Sequence, residues 1–169
     1  MTSKLQVDVY VAPPIPAETG HSEPEKKVWS PISCTLIQGD KSAIIVDTPI
    51  NTEQSGAYAD WVAKTIGNRD LKFVFFTHAH GDHFLGFPVL KKRFPQVRLL
   101  ATYNVAKGVR QPYSTFFEKI WPNYFPGEQL SPNRPVPQSL PPSGEIDLDG
   151  HKLFAINVGH RRLLIIIIL

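Results

Sequence analysis

The sequence has only one cysteine, Cys34. No disulfide can form within the chain, which favours a reducing compartment, and the N-terminus has no apolar segment of the kind found in secretory signals. We therefore predict a cytoplasmic protein. Cys34 lies among Ile32, Leu36 and Ile37, so we expect it to be a small buried side chain and not a nucleophile.

Long apolar runs and long basic runs are also lacking. The longest apolar run, residues 163–169, has seven residues, whereas a helix that crosses a bilayer needs about 20. The longest run of Lys and Arg has three residues, 91–93, and the formal net charge is only +3. The sequence therefore predicts neither a membrane nor a nucleic acid as partner.

Length and composition indicate one folded domain. The chain has 169 residues, of which 42% are apolar and 20% charged, as is typical of a globular protein. Segments that favour strands alternate with segments that favour helices, which predicts an α/β fold built of layers. The predicted strands lie at residues 5–12, 31–38, 42–47, 73–76, 97–102, 144–148 and 151–158. The predicted helices lie between Asn51 and Gly67, over 82–94 and, in two pieces broken at Pro112, over 103–121.

Short sequence patterns predict three further details of these elements: a buried strand face, a helix cap and a hairpin turn. Alternation of Leu5, Val7, Val9 and Val11 predicts that this face of the first strand is buried. A capping box is predicted at the start of the first helix, between residues 51 and 54. The dipeptide at 149–150, Asp-Gly, predicts a tight hairpin turn.

Proline is concentrated in one segment. Seven of the sixteen prolines lie between Pro122 and Pro142, which predicts an extended connector that adds little to the core. Six aromatic residues lie beside it, and two interpretations stay open: they line a substrate pocket, or they cover the sheet. These residues are Tyr113, Phe116, Phe117, Trp121, Tyr124 and Phe125.

The most informative feature is a cluster of three histidines and an aspartate within residues 78–83. It follows the apolar run 73–76, which has no polar alternation and therefore predicts a strand buried on both faces. His78 and His80 are two apart, so on an extended segment both rings project to the same side. Gly81 permits a sharp turn, after which Asp82 and His83 face a second point nearby. Histidine is the commonest metal ligand among side chains, so this loop is a candidate metal site.

This segment, Thr-His-Ala-His-Gly-Asp-His over residues 77–83, resembles the His-x-His-x-Asp-His signature of the metallo-β-lactamase superfamily of hydrolases. The resemblance implies that His78 and His80 hold one metal ion, usually zinc, and that Asp82 and His83 hold a second. The sequence Asn-Val-Gly-His at 157–160 resembles the segment that brings a third histidine, His160, to the first ion.

Other segments extend the resemblance to roughly residues 30–160. The segment 42–48 resembles the family's early strand, which ends in an aspartate, here Asp47, that orients the metal loop without binding metal. Gly86 matches the small residue that begins the next helix. The resemblance implies a four-layer αββα sandwich with the metals at one edge, between the two sheets.

The implied activity is zinc-dependent hydrolysis of a small molecule. In such an enzyme a metal-bound hydroxide attacks the carbonyl of an ester, thioester, lactone or lactam. Asp82 is the candidate catalytic residue, since its carboxylate could take a proton from the nucleophile.

The sequence departs from the family immediately after His160. Family members continue into a second half that supplies an acidic or cysteine ligand and a last histidine, whereas this chain ends in Arg-Arg and seven apolar residues. We therefore expect an incomplete domain over 1–160, made of the N-terminal half and the start of the second half, and an aberrant apolar tail over 161–169. Such a tail can form a strand or drive aggregation. The second metal site is then incomplete.

This departure leaves an alternative function. The chain would be a truncated, non-catalytic remnant or pseudoenzyme that binds at most one metal ion or a protein partner.

Overall fold

The computed structural model describes residues 4–110, 116–157 and 165–168. Within them the strands are β1 (Gln6–Ala12), β2 (Ile15–Pro16), β3 (Val28–Trp29), β4 (Ile32–Gln38), β5 (Ser42–Val46), β6 (Asp70–Phe75), β7 (Arg98–Ala101), β8 (Gln138–Ser139), β9 (Glu145–Leu148), β10 (His151–Asn157) and β11 (Ile165–Ile168). The helices are α1 (Thr52–Ile66), α2 (Phe87–Arg93), α3 (Tyr103–Arg110) and α4 (Phe116–Tyr124). Short 3₁₀ turns lie at Pro24–Lys26 and Gly81–His83.

The main sheet has six strands in the order β1-β4-β5-β6-β7-β8. The β1–β4 and β4–β5 pairs are antiparallel, whereas β5, β6, β7 and β8 are parallel neighbours. Parallel strands need a crossover connection, and α1 and α2 supply it between β5 and β6 and between β6 and β7. The carboxyl ends of these strands consequently meet at one edge of the sheet.

Each face of the main sheet is covered by a different layer. On one face Leu36, Ile45 and Val74 belong to the same core cluster as the buried side of α1. On the other face Ile44 and Phe75 share a cluster with residues of β9 and β10. This mixed sheet with helices on one face and a second sheet on the other confirms the predicted layered α/β class.

The second sheet has three strands in the order β11-β10-β9. The β9–β10 hairpin turns at Asp149 (φ 56°) and Gly150 (φ 89°), as the Asp-Gly dipeptide predicted. Strand β11 pairs antiparallel with β10. For residues 165–168, the prediction that the apolar tail can form a strand is therefore confirmed.

Helix α1 forms as predicted, except for one half of its cap. The Asn51 side chain accepts a hydrogen bond from the Gln54 backbone N–H at 2.8 Å, and Gly67 ends the helix with φ 59°. The Gln54 side chain does not return to residue 51; it donates to the Pro13 carbonyl at 2.6 Å. The Gln54 side chain therefore connects the loop after β1 to the helix. The prediction of a reciprocal capping box is wrong.

The predicted burial of the valine face of β1 is also wrong. Val7, Val9 and Val11 are 51%, 59% and 58% exposed, and the opposite face, with Tyr10 and Ala12, packs inwards. The period of two is real, but β1 is an edge strand. Among the described residues, the face of β1 that packs against another element is the one with Tyr10, which contacts Tyr58 and Trp61 of α1.

The segment predicted as one helix over 82–94 is divided. A 3₁₀ turn at Gly81–His83 is followed by α2, with Pro88 in its first turn. Proline has no backbone N–H to donate to the carbonyl four residues earlier in a helix, so α2 begins next to Pro88 instead of at residue 82.

The proline-rich connector contributes more core than predicted. Helix α4 runs through Pro122, and Phe125 and Leu140 are 2% and 8% exposed. Trp121, Tyr124 and Phe125 pack around Trp29, with ring centroids 5.5–5.6 Å from it. These three aromatic residues therefore cover the core. Pro112, Tyr113 and the side chains of residues 116 and 117 lie outside the described part of the chain.

Asp149 fastens the two sheets together. Its carboxylate accepts hydrogen bonds from the Lys41 and Ser42 backbone N–H groups, both at 2.8 Å, and from the Ser42 hydroxyl at 2.6 Å, and it lies 3.4 Å from Lys72 Nζ. Burial acts to raise the pKa of Asp149, but the hydrogen bonds from Ser42, Lys41 and Lys72 lower it to about 2.

We expect Asp149→Asn to lower the free energy of unfolding at pH 7 by about 2–3 kcal/mol, because a charged acceptor of several bonds is lost. A carboxyl whose folded pKa is lowered stabilises the fold above its usual pKa and loses that effect as the pH falls. The gap between wild type and variant should therefore narrow from pH 3.8 towards pH 2. Urea unfolding at several pH values measures this. Asp40→Asn, at an exposed carboxyl in the adjacent turn, is the control and should change little; equal effects of both variants would contradict the fastening role.

Candidate metal centre

The histidine cluster lies where β6 stops, at the edge formed by the carboxyl ends of the parallel strands. Val74, Phe75 and Phe76 are fully buried, so the strand beneath the cluster is held on both faces. The backbone remains paired up to the motif, since the Asp47 N–H donates to the Phe75 carbonyl at 2.8 Å and the Phe76 N–H to the Leu100 carbonyl at 3.2 Å. The loop therefore starts from a rigid root.

Asp47 anchors this loop from the neighbouring strand. It follows β5 with φ 64°, a conformation that non-glycine residues rarely adopt, and it is only 6% exposed. Its carboxylate accepts bonds from the Thr77 N–H at 2.8 Å and the Thr77 hydroxyl at 2.9 Å, and lies 2.9 Å from Nδ1 of His83. Both ends of the 77–83 loop are therefore hydrogen-bonded to one carboxylate, which is the contact that the predicted orienting role of Asp47 requires.

The three histidine rings of the motif are neighbours. The ring of His78 lies 4.6 Å from that of His80 and 4.1 Å from that of His83, measured between centroids. Burial, followed by the rings of His83 and His80, lowers the pKa of His78 to about 4. His78 is therefore a neutral imidazole at pH 7, which is the form that binds metals.

Thr77 selects the tautomer of His78. Its hydroxyl gives its hydrogen to Asp47 and lies 2.9 Å from Nδ1 of His78. The hydroxyl oxygen can then accept from Nδ1–H, which leaves Nε2 with its lone pair directed outwards. Thr77 was not among the predicted site residues, although its place directly before the first histidine was a usable signal.

Asp47 engages Nδ1 of His83 in a similar way. With Nδ1 bound to Asp47, Nε2 of His83 stays available and lies 3.8 Å from Oδ2 of Asp82. Burial acts to lower the pKa of His83, but the hydrogen bond and charge of Asp47 and the charge of Asp82 outweigh it, so the pKa is raised above its usual value. Asp82 and His83 thus form a pair on the side of the loop that the sequence assigned to the second metal.

Two glycines let the loop sit this close to its surroundings. A Cβ on Gly81 would lie 2.7 Å from the indole of Trp121, so the 3₁₀ turn rests on that ring. A Cβ on Gly86 would collide with the Pro49 carbonyl oxygen and the Ser55 hydroxyl. Trp121 was predicted only as one of six aromatic residues, because the contact joins segments forty residues apart.

The donor set suits zinc in its chemistry, although the described residues alone do not complete a site. Imidazoles whose Nδ1 atoms are partnered, as in His78 and His83, are typical zinc ligands. Within residues 4–110, 116–157 and 165–168, no group of three or more His, Cys, Asp or Glu side chains is arranged to hold a metal ion. The structure does bring His78, His80, Asp82 and His83 close to one another. His160 lies outside the described residues.

Comparison with known proteins identifies the family. Residues 28–163 match the family model of the metallo-β-lactamase superfamily. The chain belongs to this superfamily. The match covers the histidine motif and agrees with the extent predicted from the sequence. No curated protein sequence matches the chain.

Solved structures of metallo-β-lactamases share the fold. The enzyme from Pontibacter korlensis has a TM-score of 0.62 at 14% identity, over 99% of this chain and 66% of its own. FIM-1 from Pseudomonas aeruginosa, in its mono-zinc form, has 0.58 at 17%, over 99% and 64%. BJP-1, a subclass B3 enzyme of Bradyrhizobium japonicum, has 0.54 at 25%, over 79% and 48%. The chain thus spans from about half to about two thirds of the length of these structures.

None of the helices in the described residues combines the length and the apolar composition that crossing a bilayer requires.

We expect Gly86→Ala to lower the free energy of unfolding by about 1–3 kcal/mol, because the new methyl group meets a backbone carbonyl that cannot move aside alone. Its φ of −73° suits alanine, so the effect is steric and not torsional. Gly56→Ala is the matched control: its Cβ has open space inside α1 and should stabilise by up to about 1 kcal/mol. Urea unfolding compares the two, and a neutral Gly86→Ala would mean that the loop is not packed as described.

Removing the charge of Asp47 should lower the pKa of His83. In Asp47→Asn the amide can still accept a hydrogen bond, but the carboxylate that favours imidazolium is lost. NMR titration of the His83 ring protons in metal-free protein measures the change. Asp60→Asn removes an exposed carboxylate from α1 and should leave that pKa as it was. An unchanged His83 pKa in Asp47→Asn would contradict the hydrogen-bond assignment.

Proposed function

We propose that this chain forms the metal-binding part of a zinc-dependent hydrolase. The observation that carries the proposal is the pair of hydrogen-bonded imidazoles, His78 and His83, whose Nδ1 atoms are engaged beneath the loop. Such engagement fixes the tautomer that offers Nε2 to a metal. Membership of a superfamily of metallo-hydrolases supports the same conclusion.

Two groups of residues would hold the metal. His78, His80 and His160 would bind the first zinc ion and leave one position open, as catalytic zinc sites do. Asp82 and His83 would contribute to a second ion. One or two ions are therefore proposed.

The chain's own residues would orient the reaction and handle the proton. A bound zinc ion would supply a Lewis acid for a carbonyl oxygen and lower the pKa of a water to about 7. The Asp82 carboxylate, half-buried beside His83, would accept a proton from the attacking water. Asp47 and Thr77 would hold the loop in position through the hydrogen bonds between them.

The proposed substrate is a small molecule with a hydrolysable carbonyl: an ester, thioester, lactone or lactam. The matched solved structures are metallo-β-lactamases, which supports this class. The net charge of +3 gives little electrostatic support for a phosphodiester of a nucleic acid.

A second candidate function is binding without catalysis. It is favoured by one observation: within the described residues the histidine motif is not accompanied by a third ligand in binding geometry. In that case the chain holds at most one metal ion, or a protein partner, and turns over no substrate. The domain limits at 160 and 161 and the cytoplasmic location stay predictions.

Metal binding is tested first, by measuring the zinc content of the protein. We expect purified protein, loaded with zinc and dialysed against a weak chelator, to retain about one zinc per chain at the three-histidine site. His78→Ala/His80→Ala should lose it, whereas His21→Ala, at an exposed histidine of the loop before β3, should keep it. No retained zinc in the parent chain would refute the metal site.

Hydrolysis is then measured on the zinc-loaded protein with one chromogenic substrate of each carbonyl class. Turnover that falls at least a hundredfold in Asp82→Asn, with zinc still bound, supports hydrolysis and the proton-accepting role. Retained zinc with no turnover on any class supports the non-catalytic function.

A further inference from the structure

A second concave site lies at the end of the main sheet opposite to the histidines. It is a cleft of about 610 Å³, formed by the first residues of β6 and β7, the turn at 93–96 that joins α2 to β7, and Asp147 of β9. This volume lies within the usual range of small-molecule sites. Since the histidines follow the carboxyl ends of the same strands, the cleft and the metal loop are separate sites.

Positive charge predominates in the cleft. Four cationic side chains line it, Arg69, Lys72, Arg93 and Arg98, against the two carboxylates of Asp70 and Asp147. Lys72 is paired with the Asp149 carboxylate at 3.4 Å.

The three arginines differ from Lys72 in lacking an acidic partner. In the part of the chain that the structure describes, no ion pair involves Arg69, Arg93 or Arg98. Their charges are therefore available to a ligand.

Neutral groups hold these arginines in place. Arg69 donates to the carbonyls of Gly39 at 2.8 Å and Ile66 at 3.3 Å. Arg98 donates from two nitrogens to the Gln138 side-chain oxygen, at 2.9 and 2.7 Å, and lies 5.5 Å over the ring of Phe73.

Arg93, which is exposed, lies 5.6 Å over the ring of the adjacent Phe94. A guanidinium that is already oriented by carbonyls and aromatic rings loses less conformational entropy when an anion binds, and it keeps its charge. Such orientation distinguishes the cleft from a set of freely moving surface cations.

We propose that this cleft binds a ligand that carries phosphate groups. Planar guanidinium groups bind phosphate through two parallel hydrogen bonds, and three of them around one cleft match a group with several adjacent anionic oxygens, such as a diphosphate. The soluble form of a phosphate ligand and a lipid headgroup share this chemistry. The proposal does not depend on the metal site, because no residue of the 77–83 loop takes part.

Calorimetric titration with inorganic pyrophosphate at fixed, low ionic strength tests it. We expect saturable binding that weakens about tenfold or more in Arg98→Gln and in Arg93→Gln, since each loses a charge-assisted contact. Lys92→Gln is the matched control: like Arg93→Gln it removes one positive charge from α2, but at an exposed position outside the cleft. Unfolding midpoints of Arg93→Gln and Lys92→Gln should equal that of the parent; a lower midpoint in Arg98→Gln reports the loss of its bonds to Gln138.

A second arm of the experiment distinguishes the two sources of phosphate. Sedimentation with vesicles that contain phosphatidic acid, lost in Arg98→Gln and not in Lys92→Gln, assigns the cleft to a headgroup; pyrophosphate binding without sedimentation assigns it to a soluble ligand. Either result supports the proposal. Absence of both, or equal weakening by Lys92→Gln, overturns it.

Discussion

The carboxylate of Asp47 is the group on which the arrangement of the site depends. A buried carboxylate is costly unless its oxygens are hydrogen-bonded, and here all its partners belong to the 77–83 loop. The same bonds that satisfy Asp47 therefore fix the start and the end of the histidine loop. The left-handed backbone at residue 47 aims the carboxylate across to β6, and the parallel β5–β6 pair brings the two strand ends side by side.

The layers around the sheet determine how firmly that arrangement is held. Below the loop, Phe75 at the end of β6 and Phe76 directly after it are buried on opposite sides, one against the second sheet and the other against the helices. The Trp121 ring supports Gly81 from α4, and Gly86 lets the next turn rest on the Pro49 backbone. Far from the loop, Asp149 fastens the second sheet to the β4–β5 turn. Asp47, which is buried, and Asp149, which is half-buried, thus add hydrogen bonds between elements that also pack through apolar side chains.

The sequence predicted the parts of this structure that depend on local chemistry. The Asn51 cap, the Asp-Gly turn at 149–150 and the strand–loop junction at residue 77 each follow from a few adjacent residues. The superfamily and the orienting role of Asp47 came from a resemblance carried by seven residues of the motif and a second short strand.

What the sequence could not give depends on contacts between distant segments. Alternation showed that β1 has two faces, but only the position of β1 at the edge of the sheet decided that its valines are exposed. Gln54 bonds to Pro13 and not to its own cap because another chain segment passes within reach. The support of Gly81 by Trp121 and the arginine-lined cleft likewise arise from tertiary structure, since their members are scattered over tens of residues in the sequence.

The two ends of the parallel strands have different chemistry. At the carboxyl ends lies a cluster of three histidine rings, two of them with partnered Nδ1 atoms; at the amino ends, arginines surround a cleft. Asp47 and Thr77 fix the loop that carries His78 and His80 through their hydrogen bonds to each other, to His83 and to His78, and our proposal is that His78 and His80 share one metal ion. Anomalous diffraction at the zinc edge, from crystals grown with zinc, tests it most directly. We expect a peak at about 2.0–2.1 Å from Nε2 of both His78 and His80, with the Asp47 hydrogen bonds retained; a peak bound through Nδ1, or zinc bound elsewhere with both rings free, would contradict the proposed site.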